Sequence, residues 1–124
     1  MACSCSCCGD TATKLVYACA GAANTGYLAD QVARKLNRDG AADMTCLAAV
    51  SADLSGFIES AKSADKNVVI DGCPVACGKK IFESKGLPFM HFVTTDFGVE
   101  KKKTVITQEV IDRVAGEICK AMNA

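Results

Sequence analysis

Short apolar runs alternate with helically patterned segments along this chain, and few folds accept that alternation. The run Val68-Val69-Ile70 is wholly β-branched and is followed by Asp71-Gly72, so it reads as a strand. "KLVYACAG" near the start is equally short, apolar and closed by glycine, which suits a strand covered on both faces over about residues 14–19. "ADMTCLAAV" reads as a weaker strand and "LPFMHFVTT" as a last one. Between them, Leu28, Ala29, Val32, Ala33 and Leu36 recur at helical spacing behind a cap at Asn24 or Thr25. "DLSGFIESAKSAD" is a weaker helix, and residues 74–84 form another with Pro74 at its first position. A terminal helix capped by Thr107 carries Val110, Ile111, Val114, Ile118 and Met122 on its apolar side.

Four strands alternating with four helices predict a single three-layer α/β domain. Its sheet is four-stranded and mainly parallel, with helices on both faces and right-handed crossovers, in the doubly wound Rossmann-like or flavodoxin-like manner. The strand order expected is 2-1-3-4. A chain of 124 residues has room for one such domain, assigned to residues 13–124, behind a cysteine-rich leader over 1–12 that is expected to be flexible.

Charge narrows the partners. Fourteen basic and fourteen acidic residues cancel, so no strong field draws the chain to nucleic acid or to an anionic membrane surface. No apolar run approaches the ~20 residues of a membrane-spanning helix, and the start lacks the basic and apolar regions of a secretory signal. A cytoplasmic location is expected. Nine cysteines in a reducing compartment point to metal ligation or thiol chemistry ahead of disulfides, and an odd number cannot all pair within one chain.

Ligands of open parallel sheets bind beyond the carboxyl ends of the strands. Cys19 closes the first strand, Cys46 falls near the close of the second, and Cys73 follows the third by Asp71 and Gly72, with Cys77 one helical turn on. Neighbouring strands sit ~4.8 Å apart, so in the order 2-1-3-4 these thiols can approach one another as a tetrahedral zinc site requires. A helix starting at Pro74 puts Cys73 at its cap and Cys77 in its first turn, where unpaired N–H groups favour thiolates. The same residues allow three readings: small buried hydrophobes, metal ligands or nucleophiles.

"LVYACAGAANTGYLADQVARKL", "AADMTCLAAVSA" and "VVIDGCPVACGKKIFE" together resemble the DGC-domain proteins, small zinc-binding proteins named after an Asp-Gly-Cys motif, here Asp71, Gly72 and Cys73. The resemblance spans about residues 14–122. It implies four chelating cysteines, at Cys19, Cys46, Cys73 and Cys77, with zinc as the ion. The function expected is therefore metal binding rather than catalysis. Two alternatives are thiol redox or sulfur transfer through Cys73 and Cys77, and an iron–sulfur cluster on the same four cysteines.

Other features weigh less. Cys3, Cys5, Cys7 and Cys8 form a close-spaced set suited to soft metal ions, whereas Cys119 is expected to pack on the terminal helix. "CAGAANTG" is not a Walker loop, because Tyr27 and Leu28 stand where Lys and Ser or Thr are needed. It lacks the phosphate-clamping arginine of a low-molecular-weight phosphatase loop, whose place Thr25 holds, though a helix start there can still receive an anion. His91 is expected in the core or at an interface, Asp71 in a turn or orienting a ligand, and Glu100 to Lys103 in a solvated loop. "DFG" at 96–98 is not a kinase signal, since its companion motifs are missing.

Overall fold

The computed structural model describes residues 12–124. Cys3, Cys5, Cys7 and Cys8 lie outside the described residues. A central sheet holds β1 (Lys14–Ala18), β2 (Asp43–Met44), β3 (Lys66–Asp71) and β4 (Met90–Val93), all parallel, in the order β2-β1-β3-β4. The helices are α1 (Asn24–Arg38), α2 (Leu47–Ser51), α3 (Ser55–Ser63), α4 (Cys77–Lys85) and α5 (Gln108–Met122), and a 3-10 turn covers Thr94–Phe97. Among the described residues no helix is long and apolar enough to cross a membrane.

Alternation along the strands divides the core into two. Val16, Ala18, Val68 and Ile70 point to the side covered by α1 and α5, where Leu28, Val32, Leu36, Val114 and Ile118 are fully buried. Tyr17 and Val69 point to the opposite side and meet Val50 of α2, Ala61 of α3 and Phe82 of α4. Both faces of β1 and β3 are therefore dry, which is why these strands read as continuous apolar runs.

Four details differ from expectation. Among the described residues, five α-helices surround the sheet rather than four. The second strand is only two residues long, because Met44 N–H turns to Asn37 Oδ1 at 2.8 Å and the chain then enters α2. Cys46 thus precedes a helix instead of ending a strand. Neither Asn24 nor Thr25 caps α1; Ala23 holds that position, and among the described residues no side chain accepts from the first turn. Pro74 does not open α4 either. It occupies the second position of a tight turn closed by Ala76 N–H to Cys73 O at 3.0 Å, and α4 starts at Cys77 behind Ala76 in left-handed backbone. Thr107 does cap α5, accepting from Val110 N–H at 3.3 Å, and Cys119 of the same helix is buried.

One polar group is built into the second core. Tyr17 Oη donates to Asn67 Oδ1 at 2.9 Å, and Asn67 Nδ2 donates to Ala61 O at 2.8 Å and Pro88 O at 3.1 Å. Burial pushes the Tyr17 hydroxyl up from 10.0 to about 12. Below pH 10 the phenol is neutral in both folded and unfolded chains; between pH 10 and 12 only the unfolded chain loses its proton, so stability falls across that window. Tyr17→Phe is expected to lose about 1–2 kcal/mol at pH 7, because Asn67 Oδ1 is left without its donor, yet to show a shallower alkaline decline. Urea unfolding at pH 7, 9 and 11 tests both halves; parallel curves for the two proteins would contradict the assignment.

Candidate functional site

The carboxyl ends of β1 and β3 lie side by side, and their ladder continues one residue further through Cys19 N–H to Ile70 O at 3.1 Å. That register brings Cys19 against the start of the Asp71-Gly72-Cys73 turn, where Gly72 N–H donates to Cys19 Sγ at 3.1 Å. Gly72 has to be glycine: a Cβ there would sit 2.6 Å from Thr25 C and 2.7 Å from Gly26 N. The close approach lets the turn lie directly on the start of α1.

These ends open into a cleft of 940 Å³, which Cys19, Cys73 and Cys77 all line. The start of α1 forms one wall and the loop carrying Lys101, Lys102 and Lys103 another. Lys101 Nζ lies 3.6 Å from Cys73 Sγ, placing a cation beside that sulfur. Cys19 is half-buried, and desolvation raises its thiol above the ordinary value. The Asp71 carboxylate and Cys77 push the same way, while the Gly72 and Gly21 amides pull down without offsetting burial.

Cys46 is placed elsewhere. It is exposed at the start of α2 and lines a second cleft of 590 Å³ with Asp30, Arg34 and Met44. Three of the four sequence-derived cysteines therefore share one cleft and the fourth faces another. Among the described residues, no three His, Cys, Asp or Glu side chains are gathered closely enough to hold an ion as they stand.

Asp71 does more than form a turn. Its carboxylate is fully buried and accepts from the N–H groups of Gly78 (2.8 Å) and Lys79 (3.1 Å), capping α4 across the turn. His91 Nε2 lies 2.7 Å from the same carboxylate, and its ring packs edge-on to Phe89. His91 is thus part of the site's support. Thr94 adds a further tie, donating from Oγ1 to Gly72 O at 2.7 Å inside the core. Glycine at position 78 lets α4 lie against β3, since a Cβ there would stand 2.6 Å from Val69 Cγ1 and 3.0 Å from Asp71 Oδ1.

Asn24 and the lysine loop were the features least visible in the residues. Asn24 Nδ2 donates to Glu100 O (3.1 Å) and Thr104 O (2.8 Å), and Oδ1 accepts from Lys102 N–H (2.7 Å), clasping the loop to α1. An asparagine ahead of a helical pattern signals a cap, and a lysine run signals a solvated loop. Nothing in their spacing joins the two.

The turn that carries Asp71, Gly72 and Cys73 lies within the stretch of this chain that matches known proteins. The DGC domain family matches residues 15–118. The anaerobic and virulence modulator AnvM of Pseudomonas aeruginosa is 31% identical over 116 residues, which cover 93% of this chain and 79% of that protein. No solved structure matches. With the Asp-Gly-Cys turn at the centre of the cleft and the family match running from β1 into α5, this chain belongs to the DGC-domain family.

Proposed function

We propose that the protein binds a soft divalent metal ion, zinc in the first instance, through thiolates at the strand ends. The observation that carries this reading is the placement of Cys19, Cys73 and Cys77 around one cleft, all three unpaired with another cysteine. Their donor chemistry fits zinc, which takes cysteine sulfur in a tetrahedral set. The thiols are not closed around a centre in advance, so the turn between Gly72 and Cys77 has to adjust on binding. When bound, zinc would act as a structural centre if all its positions were taken by protein and as a Lewis acid if one were open. Cys46 belongs to the set implied by the family resemblance but faces the second cleft, so its membership is a separate question for experiment.

Metal analysis of full-length protein, purified anaerobically without added metal, tests the reading. Cys19→Ser, Cys73→Ser and Cys77→Ser are each expected to lower zinc content, and Cys46→Ser reports whether the fourth thiol takes part. Unchanged content in all four variants would sink the proposal. Visible absorbance with acid-labile sulfide would replace zinc by an iron–sulfur cluster on the same thiols.

A second reading has its own observation, the Lys101 ammonium beside Cys73. A cation there suits Cys73 to nucleophilic attack, with Cys77 or Cys19 as the resolving thiol in redox or sulfur-transfer chemistry. Alkylation rates separate the two readings. A nucleophilic Cys73 reacts faster than a free cysteine and slows in Lys101→Ala, whereas a metal ligand is protected by zinc and insensitive to that change.

A further inference from the structure

The family resemblance implies four cysteine ligands, and the fold keeps one of them apart. A bond from Thr45 N–H to Val16 O at 3.0 Å fixes the chain directly before Cys46, and α2 begins directly after it. Leu47 and Val50 of that helix are packed in the second core, so Cys46 cannot swing away without unpacking α2. The end of β1 also stands between the clefts: Cys19 lines the larger one, whereas Ala18 and Ala20 line the smaller one with Cys46.

The other three thiols are held differently. Cys19 is tied to β3 by its own N–H, to Ile70 O at 3.1 Å, and its sulfur accepts from Gly72 N–H at 3.1 Å. Cys77 opens α4, whose next two N–H groups are fixed on the Asp71 carboxylate. Between these anchored thiols lies Cys73, on a turn that ends at Ala76 in left-handed backbone, φ 55, a conformation costly for a residue with a Cβ. Closure of the three around an ion therefore falls to residues 73–76.

The cleft offers no fourth donor of its own. Among the described residues no His, Asp or Glu lines it. Asp71 has both carboxylate oxygens engaged, by Gly78 N–H, Lys79 N–H and His91 Nε2, and His91 is held in that contact. Three thiolates on a divalent ion leave one negative charge, which the Lys101 ammonium, 3.6 Å from Cys73 Sγ, offsets. A tetrahedral ion with three protein ligands keeps its fourth position for a molecule from solution. At 940 Å³ the cleft has the size of a small-ligand site, and an ion already set among thiolates favours a further soft donor.

We propose that the protein supplies three zinc ligands, Cys19, Cys73 and Cys77, and that the fourth is the sulfur of a small-molecule thiol bound in the larger cleft. The proposal rests on the metal-binding reading and adds to it the identity of the missing ligand. The incoming thiol binds as thiolate and releases its proton to solvent, with no electron exchanged.

X-ray absorption at the zinc edge counts the sulfurs. Full-length protein, loaded with a single equivalent of zinc and freed of reductant under anaerobic conditions, is measured alone and with 2-mercaptoethanol. Three sulfurs and one lighter atom are expected in the parent, in Cys46→Ser and in a variant with Cys3, Cys5, Cys7 and Cys8 all changed to Ser, becoming four sulfurs when the thiol is added. In chelator competition Cys46→Ser should hold zinc within about twofold of the parent, whereas Cys77→Ser should lose at least about tenfold in affinity. Four sulfurs without added thiol, whether one is lost in Cys46→Ser or in the leader variant, or three that stay three when thiol is added, would overturn this proposal and leave metal binding standing. A parent protein that takes up no zinc would overturn the metal reading and this proposal together.

Discussion

Asp71→Ala is expected to destabilise the fold by about 3–4 kcal/mol, a large share of a small domain's margin of about 5–15 kcal/mol. The carboxylate is fully buried and holds three groups at once: Gly78 N–H, Lys79 N–H and the His91 ring. Its removal leaves α4 uncapped and His91 without its partner in a half-buried setting, and each loss alone costs about 1–2 kcal/mol. Asp71→Asn retains one acceptor oxygen and should lose roughly half as much. His91→Phe keeps the cap and should be milder still. Urea unfolding of the three variants checks the order; an Asp71→Ala protein as stable as the parent would mean that the buried carboxylate contributes nothing net. Because α4 begins at Cys77, the same variant should also loosen that thiol, seen as faster alkylation.

Gly72→Ala is expected to cost about 3 kcal/mol through a different mechanism. A methyl group at this position meets backbone within 2.6–2.7 Å at Thr25 and Gly26, and backbone yields less readily than the end of a flexible side chain. Relief requires the turn to lift from α1, which also strains Gly72 N–H to Cys19 Sγ and Thr94 Oγ1 to Gly72 O. Gly21→Ala is the control, since its added methyl meets nothing within 4 Å and should change stability by no more than about 0.5 kcal/mol. Equal unfolding midpoints for the two variants would show that the β3–α1 contact is soft. The middle glycine of the family's signature thus acts through contact with a helix more than forty residues earlier in the chain.

What the residues revealed follows from how local their cause is. β1, β3, α1 and α5 were legible because each buries a face whose apolar period is continuous, and the order β2-β1-β3-β4 matches the one that doubly wound sheets commonly take, which was assumed and not read from the residues. The Pro74 assignment failed because the same fixed φ suits the second residue of a tight turn and the first residue of a helix. Asn24 was misplaced for a related reason: its side chain can cap its own helix, but carbonyls 76 and 80 residues away hold it instead. The candidate site was readable as a convergence of Cys19, Cys73 and Cys77, which stand at or just beyond adjacent strands. Cys46 was assigned to the same edge on the assumption of a full-length second strand, and β2 stops at Met44. The Asp71–His91 pair lay hidden because the β3–β4 register that opposes Val69 to His91 is set by the packed sheet.

The bonds that shape the cleft all join distant parts of the chain: 53 residues separate Gly72 from Cys19, and 76 to 80 separate Asn24 from its partners on the lysine loop. Such contacts form late, after the loops between them have been closed. During synthesis the strand bearing Cys19 leaves the ribosome long before Thr104 does, and until then nothing can clasp the loop over the helix start. The nascent chain therefore carries the Cys19 thiol unsheltered for most of its emergence, and the cleft acquires walls only when nearly the whole domain has been made.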